Sequence, residues 1–144
     1  MPRILVIDDQ SYVCAATLRV LKSRGFDAVA VENAPDGMRL LAQSKFDLAI
    51  VDIYMPGVDG VKAIKAIRAN YPDMPVIAMS GVQMSTSGRT ALDFMPLIPQ
   101  LADIVRLQKP FRPNQLVEAI HKATQAAKLA KESRQDAAGP RAQA

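Results

Sequence analysis

The sequence lacks the features of a secreted, disulfide-linked or membrane-spanning protein. It has one cysteine, Cys14, which excludes an internal disulfide and any multi-cysteine metal site. Its apolar runs are much shorter than the ~18 residues that a membrane span requires. Asp8 and Asp9 interrupt the first of these runs, which excludes a secretory signal there. We therefore expect a cytoplasmic protein without a membrane span.

Clustered positive charge and aromatic side chains are also scarce. Tryptophan is absent, aromatic residues make up 5% of the chain, and the formal net charge of +4 is spread thinly. Nucleic-acid binding requires a stripe of lysine and arginine on one face, so no nucleic-acid partner is expected. The glycine-rich phosphate loops of common nucleotide sites are missing as well. With 49% apolar residues over 144 positions, the composition predicts one folded domain.

Short apolar runs alternate along the chain with helical patterns. The runs are rich in β-branched residues and largely continuous, which is typical of parallel strands covered on both faces. Apolar residues at helical spacing follow each of the first three runs and the last one. This alternation predicts an α/β fold with right-handed crossovers. The predicted strands are residues 3–7, 27–31, 46–51, 75–79 and 104–108.

Two segments are less regular. Residues 80–103 contain Pro96 and Pro99 within an apolar stretch, which predicts a long loop and then a helix that begins near one of the prolines. Residues from about 132 to 144 are small, polar and interrupted by glycine and proline, which predicts a frayed tail.

Polar side chains stand where the predicted strands end. In an open parallel sheet, ligands bind outside the carboxyl ends of the strands. Three carboxylates at this edge repel one another unless a cation or a proton is present, and oxygen-only ligands favour Mg²⁺. A lysine ammonium and a serine hydroxyl suit phosphoryl oxygens, and a carboxylate can form an aspartyl-phosphate. The residues concerned are Asp8, Asp9, Asp52, Ser80 and Lys109.

Taken singly, these residues also fit ordinary structural roles. Asp8 and Asp9 could cap the first helix, Asp52 could belong to a turn, and Lys109–Pro110 could be a solvated turn. The predicted site is absent only if all of these ordinary structural roles apply at once, at successive strand ends.

Four motifs carry a family resemblance. They are Ile4–Asp9, Asp52–Gly60, Met79–Gly81 and Lys109–Phe111. In order and spacing they resemble the receiver domain of bacterial two-component response regulators over about residues 1–124. The resemblance implies a flavodoxin-like five-stranded parallel sheet in the order 2-1-3-4-5, flanked by five helices.

The resemblance also implies roles for individual residues. Asp52 would accept a phosphoryl group from a histidine kinase or phosphotransfer protein, and Ser80 and Lys109 would bind the phosphoryl oxygens. The Lys109–Pro110 peptide bond would be cis.

The implied cofactor is Mg²⁺. Asp9 would ligate it directly, Asp8 mainly through water, and Asp52 and the backbone carbonyl of Tyr54 would complete the protein ligands.

Two features depart from the family pattern. Arg106 stands where receivers usually carry the tyrosine or phenylalanine that rotates inward on phosphorylation, and a guanidinium does not bury readily in an apolar slot. We hypothesise that Arg106 faces solvent and contacts a partner. Ser80 would supply the hydroxyl that takes part in the conformational switch on phosphorylation. The interval from Ser80 to Lys109 is also longer than usual.

The expected function is that of a single-domain response regulator. Residues 125–144 are expected to hold the end of the last helix and a disordered tail, too few for an output domain. Such a protein would act by binding a downstream target, as a phosphorelay intermediate, or as a homodimer through its fourth helix, fifth strand and fifth helix. A phosphorylation-independent adaptor is the alternative. An Mg²⁺-dependent aspartyl-phosphate phosphatase is less supported, because Tyr54 stands where such enzymes carry a second aspartate.

Overall fold

A parallel five-stranded sheet forms the centre of the molecule. The computed structural model describes residues 2–55, 58–81 and 103–142. The strands of the sheet lie in the order β2-β1-β3-β6-β7, which is 2-1-3-4-5 when only these strands are counted along the chain, as predicted. The two-residue strands β4 (Tyr54–Met55) and β5 (Val58–Asp59) pair antiparallel outside the sheet. The strands of the main sheet are β1 (Arg3–Ile7), β2 (Asp27–Val31), β3 (Leu48–Asp52), β6 (Val76–Gly81) and β7 (Val105–Lys109).

Four helices occur in the part of the chain that the structure describes. The fifth predicted helix falls in residues 82–102, which lie outside the described residues. Asn33 caps the helix Ala34–Gln43 by accepting a hydrogen bond from the Asp36 backbone N–H at 2.8 Å. None of the described helices is both long and apolar enough to cross a membrane. The helices are α1 (Ser11–Ser23), α2 (Ala34–Gln43), α3 (Gly60–Asn70) and α4 (Pro113–Ala142).

Both faces of the sheet are covered. Leu5 and Ile7 of β1 pack in a buried cluster with residues of α2 and α3, including Ile64. Ile4 and Val6 point to the other face, into a second cluster with residues of α1 and α4. Because neighbouring side chains on β1 must fill two cores, its sequence is a continuous apolar run.

The strand ends differ slightly from the predicted ones. β3 begins at Leu48 and ends at Asp52, β6 extends to Gly81, and β7 ends at Lys109. Asp52 and Lys109 are therefore the last residues of their strands, so the rigid sheet itself fixes their backbones.

The last helix corrects the expectation of a frayed tail. α4 runs without interruption to Ala142. The guanidinium of Arg134 pairs with the Asp73 carboxylate and donates to the Pro72 carbonyl at 3.4 Å, which ties the helix to the loop before β6. Most residues of 125–135 have high helix propensity, which favours continuation of the helix past residue 132, although glycine and proline stand near its end.

Candidate functional site

The carboxyl ends of four neighbouring strands bring the predicted site residues to one edge of the sheet. Asp8 and Asp9 follow β1, whose last residue Ile7 is in register with Val51. Asp52 is in register with Met79, the residue before Ser80. Gly81 is in register with Lys109. Parallel pairing therefore gathers residues that are separated by up to 101 positions in the sequence.

Three carboxylates form a tight cluster at this edge. Carboxylate oxygens of Asp8, Asp9 and Asp52 lie within 4.8 Å of one another. Asp8 is 0% and Asp52 2% exposed, whereas Asp9 faces solvent. Such a cluster is electrostatically unfavourable unless cations neutralise it. Its donor set, all carboxylate oxygen, is that of a hard divalent cation.

Lys109 supplies one positive charge to the cluster. Its Nζ donates to Asp8 Oδ2 and to Asp52 Oδ2, both at 3.1 Å, and to Gln10 Oε1 at 3.2 Å. Burial alone would lower the pKa of Lys109, but the hydrogen bond to Asp8 and the attraction of Asp52 outweigh it and raise the pKa above its ordinary value. One ammonium faces three carboxylates, so the cluster stays acidic and suited to a further cation.

Backbone hydrogen bonds hold the two buried carboxylates in place. The Asp8 N–H donates to the Val31 carbonyl at 3.1 Å, and the N–H of Ile53 donates to the Met79 carbonyl at 2.9 Å. These bonds continue the sheet ladder one residue beyond β1 and β3. The acidic side chains therefore project from backbone that has little freedom to move apart.

Ser80 and the turn after β7 complete this edge. Ser80 is fully buried, and its Oγ donates to the Gly81 carbonyl at 3.3 Å. The Lys109–Pro110 peptide bond is cis, as the resemblance implies. The backbone of Tyr54, the predicted carbonyl ligand, lies in β4 two residues after Asp52.

Arg106 lies on β7, in register with Ala78 of β6. Its side chain is exposed, whereas the next residue, Leu107, is buried. This agrees with the expectation that a guanidinium stays out of the apolar interior. Most of the segment between β6 and β7, whose unusual length is evident from the sequence, lies outside the described residues.

Gln10 is a contact of the site that the sequence alone does not predict. Its side chain reaches Lys109 across 99 positions of sequence. The one available signal was its place, directly after the Asp8–Asp9 pair that ends the first strand. A glutamine there has no distinctive pattern of its own, so only the folded arrangement reveals the contact.

Cys14 lies beneath the site and is expected to be inert in the folded protein. Its Sγ donates to the Asp8 carbonyl at 3.2 Å, and burial, with the negative charges of Asp8 and Glu32, raises the pKa of the thiol to about 11. Because the thiolate is the reactive form, iodoacetamide at pH 8 should label the native protein at least about tenfold more slowly than the urea-unfolded protein. Equal labelling rates, measured by intact mass, would contradict this.

Comparisons with known proteins agree with the fold. The model of the response regulator receiver domain family matches residues 4–121. The sensor protein GacS of Pseudomonas syringae pv. syringae is 31% identical over 128 residues, which are 85% of this chain and 13% of GacS. The chain spans 26–34% of the length of four further curated relatives.

Two solved structures extend the likeness. A response regulator receiver domain protein from Clostridium thermocellum is 26% identical and superposes with a TM-score of 0.76, over 90% of this chain and 99% of that one. The response regulator protein TrrA from Thermotoga maritima, solved in complex with Mg²⁺ and BeF, is 27% identical with a TM-score of 0.69, over 85% and 99% of the two chains. The family match over most of the chain, together with the sheet order and the acidic edge, places this chain in the response regulator receiver domain family.

Proposed function

We propose that this receiver domain accepts a phosphoryl group on Asp52 from a histidine kinase or a phosphotransfer protein. The observation that carries the proposal is the buried Asp52 carboxylate, which lies against two other carboxylates and 3.1 Å from the Lys109 ammonium. A carboxylate in this setting can act as a nucleophile once its charge is balanced.

The transfer moves a phosphoryl group from nitrogen to oxygen. A carboxylate oxygen of Asp52 forms the new P–O bond while the P–N bond of the phosphohistidine breaks, and its electron pair stays on the imidazole. Lys109 is placed to stabilise the charge of the transferred group, and the hydroxyl of Ser80 can turn from the Gly81 carbonyl to donate to a phosphoryl oxygen. Phosphoryl transfer depends mainly on such positioning and charge neutralisation.

Mg²⁺ is the proposed cofactor. The carboxylates of Asp8, Asp9 and Asp52 and the backbone carbonyl of Tyr54 would hold it, and the ion would neutralise negative charge on the phosphoryl oxygens. The all-oxygen donor set and the acidic balance of the cluster fit this ion. The complex of TrrA with Mg²⁺ and BeF supports the assignment by similarity.

A protein partner would recognise the phosphorylated form. The proposed surface comprises the exposed side of β7, with Arg106, and the adjoining start of α4; the same surface could also pair two copies of the chain. Ser80, bound to the phosphoryl group, would link the site to β7 through the register of Gly81 with Lys109. A phosphorylation-independent adaptor remains the second candidate, favoured by the exposed arginine at the usual aromatic position.

Phosphorylation can be tested by intact-mass measurement after incubation with acetyl phosphate and Mg²⁺. We expect a gain of one phosphoryl mass on the wild type, removed by hydroxylamine and prevented by chelation of Mg²⁺. Asp52→Asn should show no gain, because it lacks the nucleophilic oxygen. The control is Asp103→Asn, which removes an exposed carboxylate at the other end of β7 and should label as the wild type does.

An unlabelled wild type that also shows no Mg²⁺-dependent rise in unfolding free energy would contradict the proposal and favour the adaptor. Labelling of Asp52→Asn to the wild-type extent would move the acceptor to another residue.

A further inference from the structure

The side chain of Gln10 does not serve the role that its position suggests. Gln10 is the N-cap residue of α1, with extended backbone at φ −96° and ψ 108°, but its side chain makes no capping hydrogen bond. Serine, threonine, aspartate and asparagine are the residues preferred for capping. Helix capping therefore does not account for a glutamine here.

The amide oxygen of Gln10 instead contacts the ammonium of Lys109. It accepts from Nζ at 3.2 Å, beside the two carboxylates that accept at 3.1 Å. A lysine ammonium has three N–H donors, so these three acceptors match its donors in number. The Gln10 backbone N–H also donates to Asp8 Oδ1 at 2.9 Å, which fixes the glutamine to the same carboxylate that holds Lys109.

We propose that Gln10 is a positioning residue that keeps Lys109 in place during phosphoryl transfer, an inference that rests on the proposed function. A phosphoryl group on Asp52 needs the N–H that Lys109 now directs to the Asp52 carboxylate. Asp8 and Gln10 then remain as the two anchors of the ammonium. Because the glutamine amide is neutral, it holds Lys109 without adding charge that would repel the incoming phosphoryl group.

The surroundings of Gln10 fit this role. Its side chain is exposed and lines a cavity of about 550 Å³ together with Lys109, Pro110 and Gly81. The cavity opens between α1 and the turn after β7, beside the reacting edge. Gln10 can therefore influence the position of Lys109 without being part of the hydrophobic core, and a substitution there should leave the fold intact.

The kinetic test compares Gln10→Met with Gln10→Glu in the acetyl phosphate reaction at saturating Mg²⁺. Gln10→Met keeps the shape but loses the acceptor, and its maximal rate should fall about tenfold, the size of one lost hydrogen bond to a charged group. Gln10→Glu keeps an acceptor but adds a negative charge, so it should mainly raise the acetyl phosphate concentration that gives half the maximal rate. Ser11→Ala, at the exposed neighbouring position, is the control and should match the wild type.

A second readout does not use the reaction. In the metal-free protein, Gln10→Met should lower the urea midpoint of unfolding when Lys109 is present and leave it unchanged in a Lys109→Met background. Equal maximal rates for wild type and Gln10→Met, or the same midpoint shift in both backgrounds, would overturn the role of Gln10 and leave the proposed function standing. A wild type that acetyl phosphate does not label would overturn both.

Discussion

Without Mg²⁺, Lys109→Met is expected to lower the free energy of unfolding by about 3–5 kcal/mol, the usual cost of breaking a buried ion pair by removing one partner. The lysine side chain is 11% exposed, and the carboxylates of Asp8 and Asp52 that it contacts are 0% and 2% exposed. Loss of the ammonium leaves both carboxylates buried without their cation.

Mg²⁺ should raise the unfolding free energy of Lys109→Met by more than it raises that of the wild type. The metal and the ammonium would neutralise the same carboxylates, so removing the ammonium leaves more negative charge for the metal to balance. Urea unfolding in EDTA and in excess Mg²⁺ measures both quantities. Lys122→Met, on the exposed side of α4, is the matched control and should change stability little in either buffer.

The double variant Lys109→Met, Asp52→Asn should be more stable than Lys109→Met alone, since it removes one of the two unbalanced charges. The ammonium does not balance the cluster if Lys109→Met loses no more unfolding free energy than the Lys122→Met control. The same holds if Mg²⁺ stabilises Lys109→Met no more than it stabilises the wild type.

Above neutral pH, the stability contribution of Lys109 should change only in the strongly alkaline range. Its pKa in the folded protein is raised, because the contacts with Asp8 and Asp52 outweigh the effect of burial. A raised lysine pKa gives stability that is fully present below the pKa of the unfolded chain, about 10.4, and is lost as pH rises through the folded value. The difference between wild type and Lys109→Met should therefore stay constant from pH 7 to about pH 9.

The sheet and its acidic edge could be predicted because their signals are local. Each strand of the main sheet is a short apolar run, and its end is marked by a polar residue such as Asp52 or Lys109. Parallel pairing then brings these ends together without further information. The sheet order and the family match confirm the predicted fold.

Other features could not be predicted because they depend on side chains that meet only after folding. The contact of Gln10 with Lys109 spans 99 positions, and that of Arg134 with Asp73 spans 61. No periodicity or motif links such pairs. The small, polar, glycine and proline residues after residue 132 predict fraying, whereas helix propensity and the anchor at Arg134 favour a continuous helix.

The second large effect on stability is expected for Gly60→Ala, because α3 lies very close to β3, the strand that carries Asp52. Gly60 begins α3, and a Cβ there would overlap the Asp52 carbonyl oxygen and the Ile53 Cα and lie 2.9 Å from the Ile53 carbonyl carbon. These are backbone atoms, and the Ile53 N–H is held by the Met79 carbonyl at 2.9 Å. The overlap can be relieved only by moving α3 or the end of β3.

We expect Gly60→Ala to lose about 3 kcal/mol of unfolding free energy, the upper end of the usual cost of overpacking, and to slow labelling of Asp52 by acetyl phosphate. The matched control is Gly81→Ala, whose Cβ would meet its nearest neighbour, Lys109 Cε, at an ordinary 3.9 Å and should change stability by no more than about 1 kcal/mol. Urea unfolding of the two variants separates the steric effect at Gly60 from the general effect of adding a methyl group. Equal stability of Gly60→Ala and Gly81→Ala would mean that α3 can shift away from β3 at little cost in free energy, and that Gly60 does not fix the position of Asp52.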